Sequence, residues 1–279
     1  MFELELDRQS LLINLGGGVI CDMGGFAAST FMRGIEFINI PTTLLAQVDA
    51  SVGGKTGIDF DEIKNAIGVF KNPIGVVIDV QTLKTLPKRE LISAFGEIIK
   101  HGVISGREHF DLVTSKKPEG FDQKEIIKII KQSIKIKSNI VKKDPKEITG
   151  LRKVLNFGHT IGHAVESLSW KTNKPLLHGE AVAIGMVAES NLACLCQPVR
   201  TSGVRTRVAE LVEKAVINAG LPANIHFIKS GDILKMILID KKNTNKKILW
   251  SLPRRVGRVD INVEAPDDLV IKAIKTIII

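Results

Sequence analysis

The sequence predicts an α/β protein, with a small doubly wound, parallel-sheet portion over residues 1–85 and a mainly α-helical portion over residues 86–279. Three observations predict it. A glycine triplet, Gly16-Gly17-Gly18, directly follows the apolar stretch Leu11–Leu15, which is how a βαβ unit turns from strand to helix. A second apolar stretch, Ile35–Ile40, follows a segment of small residues. From about Leu86 the character of the chain changes to helices.

Taken in order, Ser10 to Pro41 reads as strand, glycine turn, helix (Gly24–Arg33) and strand. Pro41-Thr42-Thr43 then opens a helix, because a hydroxyl residue caps well and proline suits a helix start. Gly75–Val80 is a further buried strand. Helices are predicted over Pro87–Val103, Gln123–Val141, about Leu151–Ser169, His178–Leu195, Arg205–Ala219 and Ser230–Ile239. Short strands near Ile248–Leu252 and Val256–Ile261 and a final helix complete the chain. Little more than one and a half βα units precede the helical part, so either the sheet is small or an upstream portion is missing.

With 279 residues and 44% hydrophobic content, the chain can bury one large core or two smaller ones. No apolar run approaches the roughly 20 residues of a membrane span, so no membrane association is expected. The opening MFELELDRQS is acidic and amphipathic, unlike a secretory leader. Three cysteines without a CxxC pair point to a reducing cytoplasm. The charge of +9 raises the question of nucleic acid, but there is no tyrosine and only 5% aromatic content to stack bases. The lysines between 116 and 146 and between 235 and 247 read as solvated helix faces, with a share left for an anionic small molecule. No nucleic-acid partner is expected.

The strongest chemical signal is Asn156-Phe-Gly158-His159-Thr-Ile-Gly162-His163-Ala, followed by His178-Gly179-Glu180. His159 and His163 stand at i and i+4 on one helix face, and His178 opens the next helix. With Glu97 from Phe95-Gly96-Glu97-Ile-Ile-Lys100-His101, His159 and His178 make a carboxylate and two imidazoles. That set would hold a zinc ion with positions open for substrate. The bland alternative makes these hydrogen-bonded core histidines and Glu97 a surface charge. Gly16-Gly17-Gly18 could bring backbone amides to a phosphate or merely turn the chain. Ser51–Gly57 (SVGGKTG) lacks Walker spacing, yet places Lys55 among glycines where it could meet an anion. Lys137 falls on the apolar stripe Ile126, Ile130, Ile134, Val141, a costly place for a cation without an anion. Arg152, a turn or two before His159, could hold a carboxylate or phosphate bidentately, or be a surface charge.

These segments resemble the 3-dehydroquinate synthase family. The resemblance rests on GGGVICDMGGFAAS, PTTLLAQVDASVGGKTGID, KNAIGVFKNP, TLKTLPKRELISAFGEIIKHG, LRKVLNFGHTIGHAVE, LHGEAVAIGM and DKKN, in order from about Asp7. It implies a truncated Rossmann-like nucleotide-binding domain followed by an α-helical metal- and substrate-binding domain, with a homodimer as the working form. It implies Glu97, His159 and His178 as ligands of Zn2+ or Co2+. Gly18, Val19, Asp22, Thr42, Thr43, Lys55, Lys64, Thr82, Leu83 and Thr85 are the implied NAD contacts. Lys55, Asn65, Lys100, Lys137, Arg152, Asn156, His163 and Lys241 or Lys242 are the implied substrate anchors, with Arg33 reaching a phosphate in the partner subunit. Lys55, Lys100, Arg152, His163 and Asp49 are the catalytic candidates, the last two for proton handling.

The implied substrate is a phosphorylated sugar acid, 3-deoxy-D-arabino-heptulosonate 7-phosphate. The implied reaction is oxidation by NAD, loss of phosphate, return of the hydride and ring closure to 3-dehydroquinate. Family members carry additional βα units upstream, so the resemblance also predicts a complete metal site beside an incomplete NAD site. The rival readings are a sister sugar-phosphate cyclase making 2-deoxy-scyllo-inosose or a valiolone, a metal-dependent dehydrogenase of the glycerol type, and an inactive binding protein.

Overall fold

The computed structural model describes residues 1–60, 63–196, 202–226, 228–242 and 247–279, without the side chains of residues 63–66, 202–206 and 239–242. The chain divides into two units, one of residues 1–91 and 123–146 and the other of residues 92–122 and 147–279. The sequence places a single boundary at residue 85. In the structure the helix Gln123–Lys143 groups with the first unit, which is therefore discontinuous in sequence.

In the first unit, β1 (Leu11–Gly16) and β2 (Glu36–Pro41) pair in parallel, and the two-residue β5 (Gly75–Val76) extends the sheet beyond β2. The strand expected over Gly75–Val80 is cut short because Val80–Thr85 turns into a 3-10 helix, capped by the Asp79 side chain accepting from the Gln81 N–H. In-register Asn14 and Asn39 are both buried and share a side-chain hydrogen bond of 2.9 Å across the two strands.

Helix α1 (Gly18–Thr30) starts at the glycine triplet itself, six residues earlier than expected, because the turn needs no residues beyond Gly17. It lies close on the sheet, since a Cβ on Gly24 would collide with Asn14 and one on Gly25 with Thr56. Ala28, Phe31, Ile35 and Phe37 form the core beneath it. The other face of β1 carries Leu11, Ile13 and Leu15, all more than two-fifths exposed.

The stretch after Pro41 folds as expected into a helical turn, with the Thr43 hydroxyl accepting from the Ala46 N–H at 3.2 Å. It continues as a single turn of π-helix over Ala46–Ala50. The glycine-rich segment around Lys55 enters a β-hairpin of β3 (Lys55–Phe60) and β4 (Ile63–Phe70). Gly53 and Gly54 make the left-handed turn that precedes it, with φ of 118° and 68°. Helix α4 (Gln123–Lys143) buries Ile126, Ile129, Ile130 and Lys137 and packs on the turn of π-helix and the 3-10 helix.

The second unit is built around α6 (His178–Leu195), whose residues 179–190 are all buried. A helix apolar on every side belongs in a core. Helices α5 (His159–Ser169), α7 (Ser202–Asn218) and α9 (Asp267–Lys275) surround it, with the hairpin of β6 (Trp250–Arg255) and β7 (Arg258–Val263). Helix α2 (Lys88–Ser105) enters the unit at Ile92, and α3 (Arg107–Thr114) and α8 (Ser230–Lys242) complete it. The single helix expected over Leu151–Ser169 is two elements. A 3-10 turn, Leu151–Asn156, ends before Gly158, whose φ of 81° no continuous α-helix accommodates.

Candidate functional site

Three helices of the second unit bring the candidate metal ligands together. Glu97 lies midway along α2, His159 is the first residue of α5 and His178 the first of α6. One ligand atom from each lies within 4.8 Å of the others. His159 Nε2 is 3.3 Å and His178 Nε2 3.6 Å from the same oxygen, Oε1 of Glu97.

The helices can approach so closely because they touch through glycine. A Cβ on Gly96 would stand 2.1 Å from the Gly179 carbonyl oxygen, and one on Gly179 1.8 Å from that of Ser93. A Cβ on Gly185 would stand 2.0 Å from the carbonyl oxygen of Gly158. Gly96, Gly158 and Gly179 are each the immediate chain neighbour of a candidate ligand. The start of α6 is fixed by Glu180, which accepts from the Leu177 N–H at 2.8 Å, an acid reaching back from the first helical turn.

Hydrogen bonds orient both imidazoles. His159 Nδ1 lies 3.2 Å from the carbonyl oxygen of Phe157, which can only accept, so Nδ1 holds the proton and Nε2 presents its lone pair. His178 Nδ1 lies 3.1 Å from Oε2 of the buried Glu166. Burial would raise the Glu97 carboxyl, but the charge of Lys100 and the neighbouring His159 outweigh it and hold it well below the usual carboxylate range. Lys100 Nζ is 2.5 Å from Glu97 Oε2, with both side chains buried.

Burial and the Lys100 charge hold His159 below its ordinary value, against the pull of Glu97. His178 goes the other way: burial would lower it, but Glu166 and Glu97 together push it up to about 9. Lys100 occupies Oε2 of the buried Glu97, and Oε1 is left to the two imidazole Nε2 atoms. A carboxylate left so in a buried setting, facing two imidazole Nε2 atoms, is a donor set that suits zinc or cobalt.

The other proposed residues of this unit take varied positions. His163 is exposed, one turn beyond His159, with its ring centroid 5.1 Å from that of His159 and 5.9 Å from that of His178. Arg152 is buried on the 3-10 turn instead of on the helix of His159, and its Nε is 3.5 Å from Glu147 Oε1. Asn156 closes that turn and is exposed. Lys241 and Lys242 end α8, but their side chains lie outside the described residues, as do those of Lys64 and Asn65 on β4.

In the first unit, Gly18, Val19 and Asp22 occupy the start of α1, which has no side-chain cap. First-turn N–H groups without a capping acceptor are where a helix accepts a phosphate. A Cβ on Gly17 would come within 3.1 Å of Thr43, so that turn stays thin beside Thr42 and Thr43. Thr82, Leu83 and Thr85 lie on the 3-10 helix, tied in by Gln47, whose Nε2 donates to the Thr82 hydroxyl and to the carbonyls of Pro41 and Asp79.

Lys137 meets its anion within this unit. Its Nζ is 2.7 Å from Asp49 Oδ1 and donates to the Asp49 carbonyl at 2.9 Å. Burial, with the charges of Asp49 and Asp59 adding and Lys137 opposing, pushes Asp22 up to about 6. Lys55 is exposed at the start of β3, and Arg33 is exposed with a φ of 73°.

Two acids of the second unit were not singled out from the sequence, Glu166 and Glu189. Glu166 stands three residues after His163 and seven after His159, on the same helical face. Glu189 is the only charged residue between Ala181 and Leu195 of the buried α6. A lone acid in such a helix is a readable signal.

Two family models together match residues 1–243. One described as 3-dehydroquinate synthase N-terminal covers residues 1–93, and one described as 3-dehydroquinate synthase C-terminal covers residues 94–243. The 3-dehydroquinate synthase of Alkaliphilus metalliredigens is 45% identical over 271 residues, covering 96% of this chain and 74% of that protein. That of Ruminiclostridium cellulolyticum is 43% identical over 261 residues, covering 93% and 70%. Among solved structures, a 2-epi-5-epi-valiolone synthase from Streptomyces hygroscopicus subsp. jinggangensis, with NAD+ and Zn2+ bound, superposes with a TM-score of 0.88 at 26% identity. It covers 99% of this chain and 76% of that one. The chain belongs to the 3-dehydroquinate synthase family.

Proposed function

We infer that this chain is a 3-dehydroquinate synthase, converting 3-deoxy-D-arabino-heptulosonate 7-phosphate to 3-dehydroquinate and phosphate in the shikimate route to aromatic amino acids. The observation that carries this reading is the match to relatives of that activity along nearly the whole chain, at 43–45% identity. The cluster of Glu97, His159 and His178 supplies the chemistry. When bound, NAD accepts and returns a hydride and the divalent ion polarises the reacting oxygen as a Lewis acid.

The chain's own residues have distinct tasks. Glu97, His159 and His178 hold the ion, and Phe157 and Glu166 fix the tautomers that present Nε2 to it. Gly18, Val19, Asp22, Thr42, Thr43, Lys64, Thr82, Leu83 and Thr85 bind the dinucleotide, with backbone amides at the start of α1 receiving its phosphates. Lys55, Asn65, Lys100, Arg152, Asn156, His163 and one of Lys241 and Lys242 bind the substrate's carboxylate, hydroxyls and phosphate. Lys137 holds Asp49 in place for proton handling, which it shares with His163. The working form is a cytoplasmic homodimer in which Arg33 reaches a phosphate in the partner subunit.

The deciding experiment follows inorganic phosphate and NADH together when the purified chain, NAD and zinc meet the heptulosonate phosphate. Phosphate release with stoichiometric 3-dehydroquinate and no net NADH is expected. Net NADH would make it a dehydrogenase. Turnover of a sugar phosphate lacking the carboxylate, but not of the heptulosonate, would make it a sister cyclase.

A further inference from the structure

Glycine at the cap of α5 leaves that helix without a side-chain acceptor of its own. The acceptor comes from another helix. Glu189 on α6, fully buried, takes the Gly158 N–H on Oε2 at 2.6 Å and the Ile161 N–H on Oε1 at 3.0 Å. A carboxylate at a helix N-terminus also meets the positive end of the helix dipole, which stabilises a buried negative charge there.

The first of these bonds has a further reach. The Gly158 N–H and the Phe157 carbonyl belong to one peptide group, which is planar and rigid. Glu189 grips that plane by its N–H edge, and the carbonyl edge takes the Nδ1 proton of His159. A charge-assisted bond on the N–H polarises the carbonyl, which strengthens its hold on Nδ1–H and makes Nε2 a better donor. The close approach that permits this comes from Gly185, whose missing Cβ would strike the Gly158 carbonyl oxygen.

We propose that Glu189 is a positioning residue of the metal centre, setting the orientation and donor strength of His159 through the Phe157–Gly158 peptide without touching metal or substrate. The proposal rests on the reading of Glu97, His159 and His178 as metal ligands. It adds to that reading a carboxylate joined to a ligand imidazole through two successive hydrogen bonds, where Glu166 is joined to His178 through one.

The test titrates Co2+ into the metal-free full chain and follows the visible d–d absorption, which reports ligand geometry and is indifferent to a loss of folding stability. Glu189→Gln keeps the size of the side chain but can accept only one of the two N–H groups. Its Kd for cobalt is expected to rise about 10–100-fold, with a shifted d–d band and unchanged far-ultraviolet circular dichroism. A wild-type Kd and spectrum in this variant would overturn the proposal while leaving the ligand assignment intact. Failure of the unaltered chain to bind cobalt, or binding that survives His159→Ala, would overturn the ligand assignment and the proposal with it.

Should Glu189→Gln not fold, Glu189→Asp carries the same test, since losing one methylene withdraws the carboxylate from both donors. Hydrogen exchange on the unaltered chain gives a third reading. The Gly158 and Ile161 amides, at positions where helix N–H groups usually exchange fast, are expected to be protected. Fast exchange at both would overturn the proposal.

Discussion

The two units present their candidate sites by opposite means. In the first, the residues proposed for the dinucleotide sit where elements begin and end, and what they offer is largely backbone: uncapped N–H groups at the start of α1, a thin glycine turn, a 3-10 helix after β5. In the second, the offer is side chains, the buried Glu97 with the half-buried His159 and His178, driven into one cluster by helices that meet glycine to backbone. A site made of backbone tolerates change in its side chains but not in the space above it. A site made of side chains gathered round one buried carboxylate tolerates neither the loss of a partner nor the separation of its helices.

The largest effect expected is from Glu97→Gln, which removes the buried anionic member of the proposed ligand set. Bound metal should fall to background by atomic absorption. Turnover should fall on the order of 10³-fold or more, the several kcal/mol that a Lewis acid supplies. Equal turnover with and without the substitution would remove the second unit's site from the chemistry.

Gly179→Ala comes next. Its methyl group has no room before the Ser93 carbonyl, so α2 and α6 must part, at about 1–3 kcal/mol and a fall in Tm of roughly 5 °C. Gly18→Ala is its counterpart in the first unit, where the added methyl stands 3.2 Å from Ala50. There Tm should scarcely move while the KM for NAD rises. If instead both changes lower Tm alike, the contrast between the units fails.

Glu166→Gln should weaken zinc binding about 10–100-fold by removing the carboxylate that orients His178. The pH dependence sharpens the same point. With His178 near 9 in the metal-free protein, the proton and the metal compete for it below that value. Zinc affinity should therefore fall about tenfold per unit as pH drops from 9, with one proton released on binding, until protonation of the other ligands steepens it. A flat affinity between pH 7 and 9 would show that His178 is already neutral. The smallest effect expected is for Gly231→Ala on α8, where nothing lies within 4 Å of the added methyl. A gain of a few tenths of a kcal/mol is its most, from helix propensity.

The contrast between the units also governs how much could be read from sequence. The grouping of Glu97, His159 and His178 was legible because histidines are few and chemically specific, and their spacing survives translation into helices. The start of α6 at His178 needed only its motif. What spacing could not carry was backbone conformation. The break at Gly158 separates Arg152 from the helix of His159, and only the positive φ of that glycine reveals it.

The hairpin after Gly54 was hidden for a similar reason: Lys55-Thr56-Gly57 between glycines looks like a loop, and its strand character comes from pairing with Val69 and Phe70. Lys137 was legible as an anomaly on the buried stripe of α4. Its partner was not, because Asp49 lies 88 residues away in sequence. Glu189 was invisible as a capping residue because the helix it caps is not its own.

The glycine contacts among α2, α5 and α6 have a consequence for how the ion comes and goes. Because Glu97, His159 and His178 stand on helices already held at contact distance by their own main chains, little ordering of the polypeptide accompanies loading. As a metal site it is expected to act as a socket, in contrast to metal-dependent folds that collapse when stripped. Chelation should leave a folded, reloadable protein, and the rate of reloading should follow the rate at which the Glu97–Lys100 pair releases its carboxylate.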